Sequence, residues 1–88
     1  MHARIRGVVQ GVSYRASAAA RARELGLSGW VRNRNEGSVE LVAEGERREL
    51  ERLIAWCEVG PTFAKVDSVR VEWSSATGEF ASFEVRRK

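Results

Sequence analysis

Two stretches of this chain carry residue types and spacings suited to anion chemistry. The first is Gly7-Val8-Val9-Gln10-Gly11-Val12-Ser13-Tyr14-Arg15, where a glycine-framed turn runs into a candidate helix. A strand that stops at Gly7 and feeds a helix near Ser13 aims successive backbone N–H groups into one concavity. A helix N-terminus adds unpaired donors and a partial positive charge, which together suit a phosphate. Gly11 lets the backbone curl closely around such an anion. Arg15, in the first turn, brings a forked guanidinium to the same place. The second stretch is Trp30-Val31-Arg32-Asn33, whose Asn33 precedes a hairpin turn. An amide both donates and accepts, so Asn33 can orient a water without changing charge. Each feature has an ordinary alternative: a glycine-bearing β-α connection with a solvent-facing arginine, and an asparagine that merely starts a turn.

Other chemistries are excluded on detail. Gly11 is followed by Val12, so the loop lacks the Gly-Lys-Ser/Thr of a nucleotide-binding Walker loop, and the dinucleotide fingerprint is unmatched. His2 is the only histidine and stands beside the N-terminus, which argues against triads and multi-histidine metal sites. Cys57 is alone, excluding an intramolecular disulfide and a four-cysteine zinc site, and it falls on an apolar helical stripe. No metal site and no cofactor are expected. The acidic residues scatter over predicted solvent faces, and Trp30, Trp56 and Trp73 are expected in the core or at its edge.

The elements that must position these residues follow from periodicity. His2 to Val8 alternates, with Ala3 and Ile5 opposite Arg4 and Arg6, as in a half-buried strand. Tyr14, Ala18, Ala22 and Leu25 fall on one helical stripe, with Ser13 as N-cap and Gly26 as the stop. Trp30–Asn33 and Ser38–Ala43 read as a hairpin across Arg34-Asn35-Glu36-Gly37, with Asn35 and Gly37 suited to positive φ. A second helix spans about Glu46 to Val59 on Leu50, Leu53, Ile54 and Cys57, and Gly60-Pro61 ends it. Val69, Val71 and Trp73 alternate in a fourth strand, Thr77-Gly78 turns the chain, and Phe80 to Arg86 forms a short extra C-terminal strand. The resulting order, β-α-β-β-α-β plus that strand, predicts an α+β ferredoxin-like sandwich: a mainly antiparallel sheet with two helices on one face.

With 88 residues, positions 1–88 are expected to form one domain. The N-terminus has no apolar stretch of the signal-peptide kind, and no segment approaches the roughly 20 apolar residues of a membrane span. A cytoplasmic, monomeric protein without membrane contacts is expected. Net charge is +3 with a pI near 9.8, and every basic residue but Lys65 and Lys88 is an arginine, apart from His2. Mild basicity favours anionic partners, yet a GC-rich genome gives the same bias, so charge alone selects none. Nucleic acid is not expected as a partner, because the third strand carries no aromatic and nothing matches an RNA-binding RNP1 pattern.

The two stretches belong to a longer pattern. The first resembles the acylphosphatase signature G-x-V-Q-G-V-x-[FY]-R at every fixed position. Gly29-Trp30-Val31-Arg32-Asn33 with Gly37-Ser38-Val39-Glu40 resembles the family's second block, G-[WY]-V-x-N…G-x-V-E. Gly60-Pro61, Ala64-Lys65-Val66 and Gly78-Glu79-Phe80-Ala81-Ser82-Phe83-Glu84-Val85 also fall where that family has its own, so the likeness covers essentially the whole chain.

The resemblance implies a free-standing hydrolase that splits acyl phosphates into carboxylate and phosphate by metal-independent, in-line attack of water. It further implies that backbone N–H groups of Val9, Gln10, Gly11, Val12 and Ser13 hold the phosphate, or inorganic phosphate in its place. Arg15 would neutralise the phosphoryl oxygens and Asn33 would position the water. Arg34 stands where some members have a small hydroxyl residue, which adds charge near the pocket. The C-terminus is Arg86-Arg87-Lys88, so any further carboxylate there would be the terminal one.

Overall fold

A computed structural model describes residues 1–87. The elements are β1 (His2–Val8), α1 (Tyr14–Glu24), β2 (Ser28–Asn33), β3 (Val39–Glu44), α2 (Arg47–Val59), β4 (Lys65–Glu72) and β5 (Phe83–Arg86). The strands form one sheet in the order β4-β1-β3-β2-β5. Pairs β1/β3, β1/β4 and β2/β3 are antiparallel, and β5 joins the edge parallel to β2. This is the expected ferredoxin-like α+β sandwich with its extra C-terminal strand.

Alternation fixes which face the helices cover. Ala3 and Ile5 of β1, Val31 of β2, and Val39, Leu41 and Ala43 of β3 are buried on the helix side. Helix α1 lays Tyr14, Ala18, Ala19 and Ala22 against them, and α2 contributes Leu50, Leu53 and Cys57. Alanine on the inner stripe of α1 lets that helix approach the sheet closely. Burial pushes the Cys57 thiol up to about 12, so it packs as a small apolar group. Among the described residues no helix is long and apolar enough to cross a membrane.

Several details differ from the sequence reading. Strand β4 begins at Lys65, because its first residues are held by backbone pairing to Gly7 and Val8 rather than by an apolar pattern. Strand β5 begins only at Phe83, where pairing to Gly29 starts. The preceding loop is instead held by Glu44, whose carboxylate accepts from the N–H groups of Thr77 and Gly78 and from the Thr77 hydroxyl. In the β2–β3 turn only Gly37 takes positive φ; Asn35 does not. Trp73 is 41% exposed rather than at the core edge, with the Arg47 guanidinium 3.5 Å above its ring. Trp30 and Trp56 are half-buried.

Glu40 departs furthest from expectation. It lies on the face away from the helices yet is only 8% exposed, roofed by His2, Arg32 and Arg34, which contact its carboxylate at 2.7, 2.8 and 3.0 Å. Its neighbours across the strands are cationic, so a position that reads as solvent-facing becomes the centre of an ion-pair network.

Candidate active site

Strand β1 delivers the chain to the site through a strained join. Pairing to β4 shifts between Arg6 and Gly7, so Gly7 faces Val66 and Asp67 is skipped. A β-carbon at Gly7 would stand 2.1 Å from the Lys65 carbonyl oxygen, at a φ of +134°. Only glycine fits there. The bulge turns the chain out of the sheet, and Gly11 (φ 76°) and Ser13 (φ 64°) then curl it into a bowl.

Ser13 occupies the N-cap position of α1, as expected, but not in the expected way. Its backbone is left-handed and its side chain makes no capping hydrogen bond. A non-glycine residue in that conformation costs about 1–2 kcal/mol, and here the strain sits at the rim of the bowl. Among the described residues, none of the loop and turn hydrogen bonds uses the N–H groups of residues 10–13.

Two side chains tie the bowl to its surroundings. Gln10 donates to the carbonyl oxygens of Arg34 (2.7 Å) and Ser38 (2.9 Å), joining the loop to both ends of the β2–β3 turn. The Tyr14 hydroxyl donates to the Cys57 carbonyl at 2.7 Å, linking the first turn of α1 to α2. Burial, then the neighbouring Cys57, hold the Tyr14 phenol above its ordinary range, so it stays protonated as a donor.

The bowl opens into a hollow of about 240 Å³ lined by Val9, Gly11, Ser13, Tyr14, Arg15, Ala16, Asn33, Val85 and Arg87. Arg15 is half-buried and donates to the Arg86 carbonyl at 3.1 Å, leaving most of its five N–H donors for a ligand. Asn33 ends β2 opposite Val39, and its Oδ1 is buried with no hydrogen-bond partner among the described residues. An unpaired buried acceptor costs about 1–3 kcal/mol. Asn33 also lines a second hollow of about 530 Å³ with Arg32, Arg34, Asn35, Glu36 and Arg87.

Of the residues expected to bind phosphate, Val9, Gly11, Ser13 and Arg15 thus share one hollow, and Asn33, expected to position the water, lines it too. Gln10 and Val12 line no part of it with their side chains: Gln10 reaches the turn and Val12 packs on the core. Their backbones remain in the curl. Arg34 belongs to the neighbouring hollow and pairs with Glu40. Val85 and Arg87 were not singled out as site residues from the sequence, because it is the parallel pairing of β5 with β2 that carries the end of the chain to the site. The terminal carboxylate of Lys88 lies outside the described residues. Among those residues no three His, Cys, Asp or Glu side chains cluster as a metal ion would need.

Comparison with known proteins places the chain among relatives of known family. The acylphosphatase family profile matches residues 1–85. The acylphosphatase of Methylococcus capsulatus is 53% identical over 87 residues, covering 99% of this chain and 95% of that one. That of Aeropyrum pernix is 54% identical over 83 residues, covering 93% and 82%. The crystal structure of acylphosphatase from Bacillus subtilis superposes with a TM-score of 0.93 at 32% identity, covering 97% of this chain and 94% of that one. Full-length HypF, in a phosphate- and nucleotide-bound form, has a region of the same fold (TM-score 0.81, 25% identity) that is 12% of its length. With the family profile matching residues 1–85, a relative 53% identical over 99% of the chain and the same fold in a solved acylphosphatase, the chain belongs to the acylphosphatase family of hydrolases.

Proposed function

We propose that the hollow between the β1–α1 loop and the end of β2 binds the phosphoryl group of an acyl phosphate and directs water onto it without a metal ion. The observation that carries this reading is the convergence of Arg15, the unpartnered Oδ1 of Asn33 and the curled loop at Val9, Gly11 and Ser13 on one hollow. In it, the N–H groups of Val9, Gln10, Gly11, Val12 and Ser13 cradle phosphoryl oxygens, and the Arg15 fork neutralises them.

Asn33 holds the water by accepting a hydrogen bond from it at Oδ1. The water oxygen forms a bond to phosphorus as the bond to the carboxylate oxygen breaks, and that electron pair leaves with the carboxylate. Dihydrogen phosphate forms and ionises to suit the pH. A carboxylate is a good leaving group, so positioning and electrostatic stabilisation suffice and no general-base histidine is required. The groups present around the hollow fit this chemistry: the guanidinium groups of Arg15 and Arg87, one neutral amide and a row of N–H donors.

Hydrolysis of benzoyl phosphate by wild type and Arg15→Ala, each with and without a chelator, tests the reading. Turnover by wild type should survive chelation and fall roughly 10²–10³-fold in the folded variant. Full activity of a folded Arg15→Ala, or inactivation by the chelator, would contradict it.

A further inference from the structure

The sheet face that the helices leave open carries a line of charge unrelated to the bowl. Strand register places Arg70, Arg4, Glu40, Arg32 and Arg86 side by side across all five strands. One carboxylate stands in a row with four guanidinium groups and pairs with only two of them, unevenly. Glu40 is 2.8 Å from Arg32 but 3.9 Å from Arg4. Toward β4 the imbalance grows, because Arg4 faces Arg70 directly and Arg6 lies two residues along β1 on the same face. Neither Arg6 nor Arg70 has a carboxylate partner among the described residues, and the Arg4 Nε is a buried donor with no partner among them.

These residues surround a hollow of about 170 Å³ lined by His2, Arg4, Arg6, Arg70 and Glu72. A neighbouring hollow of about 520 Å³, lined by Arg6, Ser68, Val69 and Arg70, shares two of those arginines. Like charges directly opposite across strands destabilise a sheet, and an unpaired buried N–H adds to the cost. An oxyanion bound between these guanidinium groups offsets the like-charge repulsion. At about 30 Å³ per water, the smaller hollow has room for one tetrahedral group but not for a molecule of drug size.

We propose that Arg4, Arg6 and Arg70 form a second oxyanion site, separate from the bowl, that takes a phosphoryl group with any organic body lying over Ser68 and Val69. Guanidinium forks suit such a group, since each can offer two parallel N–H donors. The ligand is either free phosphate or a phosphate monoester. No lining residue is shared with the hollow that holds Arg15 and Asn33, so this proposal stands apart from the reading of that site.

The test is an amide NMR titration of the full-length Arg15→Ala protein, in which the first site is weakened, at constant ionic strength. The probes are inorganic phosphate and glycerol phosphate. Saturable shifts are expected at Arg4–Arg6 and Ser68–Arg70, and adding Arg6→Gln and Arg70→Gln should weaken binding about tenfold or more. Tighter binding of the ester would assign the larger hollow to its body, and equal binding would assign free phosphate. Shifts confined to residues 9–13, or unchanged affinity in the Gln variant, would overturn the site. So would full affinity after Arg6→Lys and Arg70→Lys, since charge alone would then explain binding. Far tighter binding of a single-stranded oligonucleotide would overturn it too, by making the face a polyanion track. With Arg15 intact, the Gln pair should leave benzoyl phosphate turnover unchanged, which keeps the outcome independent of the first site.

Discussion

Asn33 is neutral at every accessible pH, so its contribution to the proposed reaction is orientation rather than charge. Arg15, by contrast, acts on the phosphoryl group in the ground state and the transition state alike. Asn33→Ala is therefore expected to lower turnover by roughly 10²-fold, the size seen when one positioned polar group is removed. Inhibition by inorganic phosphate should change little, since the N–H groups and Arg15 remain. Measuring kcat and the phosphate inhibition constant on the same preparation separates the two roles, and parallel losses in both would refute the division. Both residues were legible as candidates because glycine-framed turns and strand-end amides are local features. Gln10 was legible only as a name in the loop. Nothing local shows that it reaches residues 34 and 38, because that contact exists only once β1 and the β2–β3 turn stand at the same end of the sheet.

At the scale of elements, the bowl is aimed by a strand bulge and anchored by a helix–helix tie. Gly7→Ala should lose activity and destabilise the fold together, because the added carbon meets the Lys65 carbonyl oxygen and either the bulge or the strand pairing must open. Circular dichroism melts alongside turnover would show this, and a fully stable variant that keeps activity would remove the bulge from the account. Tyr14→Phe tests the other anchor. It strands the Cys57 carbonyl without its donor, at a cost of about 1–3 kcal/mol in denaturant unfolding. Turnover should fall as well if the tie holds Ser13 and Arg15 in place. An unaltered midpoint would mean that another donor reaches that carbonyl.

The element order was readable because apolar period, glycine stops and the Gly60-Pro61 break all agree locally. The true bounds of β4 and β5 were not, since partner strands set them. Lys65 and Val66 belong to β4 because Val8 and Gly7 pair with them, a fact absent from their own composition.

Across the whole molecule, one carboxylate on the central strand β3 ties three strands and a turn, through His2 and Arg4 on β1, Arg32 on β2 and Arg34 beyond it. Burial by itself would raise the Glu40 pKa. Hydrogen bonds from His2 and Arg32, with their charges, outweigh burial and lower it from 4.5 to about 2. A depressed folded-state pKa means that the unfolded chain binds the proton more tightly. The stabilisation is therefore complete above about pH 4.5 and is lost progressively as pH falls through about 2. Glu44, held low first by the Thr77 N–H with burial opposing, adds a slope of the same sign.

Glu40→Gln should cost about 3 kcal/mol near neutrality, because it leaves several guanidinium groups crowded around a neutral amide. It should also flatten the fall of melting temperature between pH 4.5 and 2, leaving only the part due to the other carboxylates. Melting curves of both proteins across that window decide the matter. An equal slope in wild type and variant would show that Glu40 does not set the acid limit of the fold.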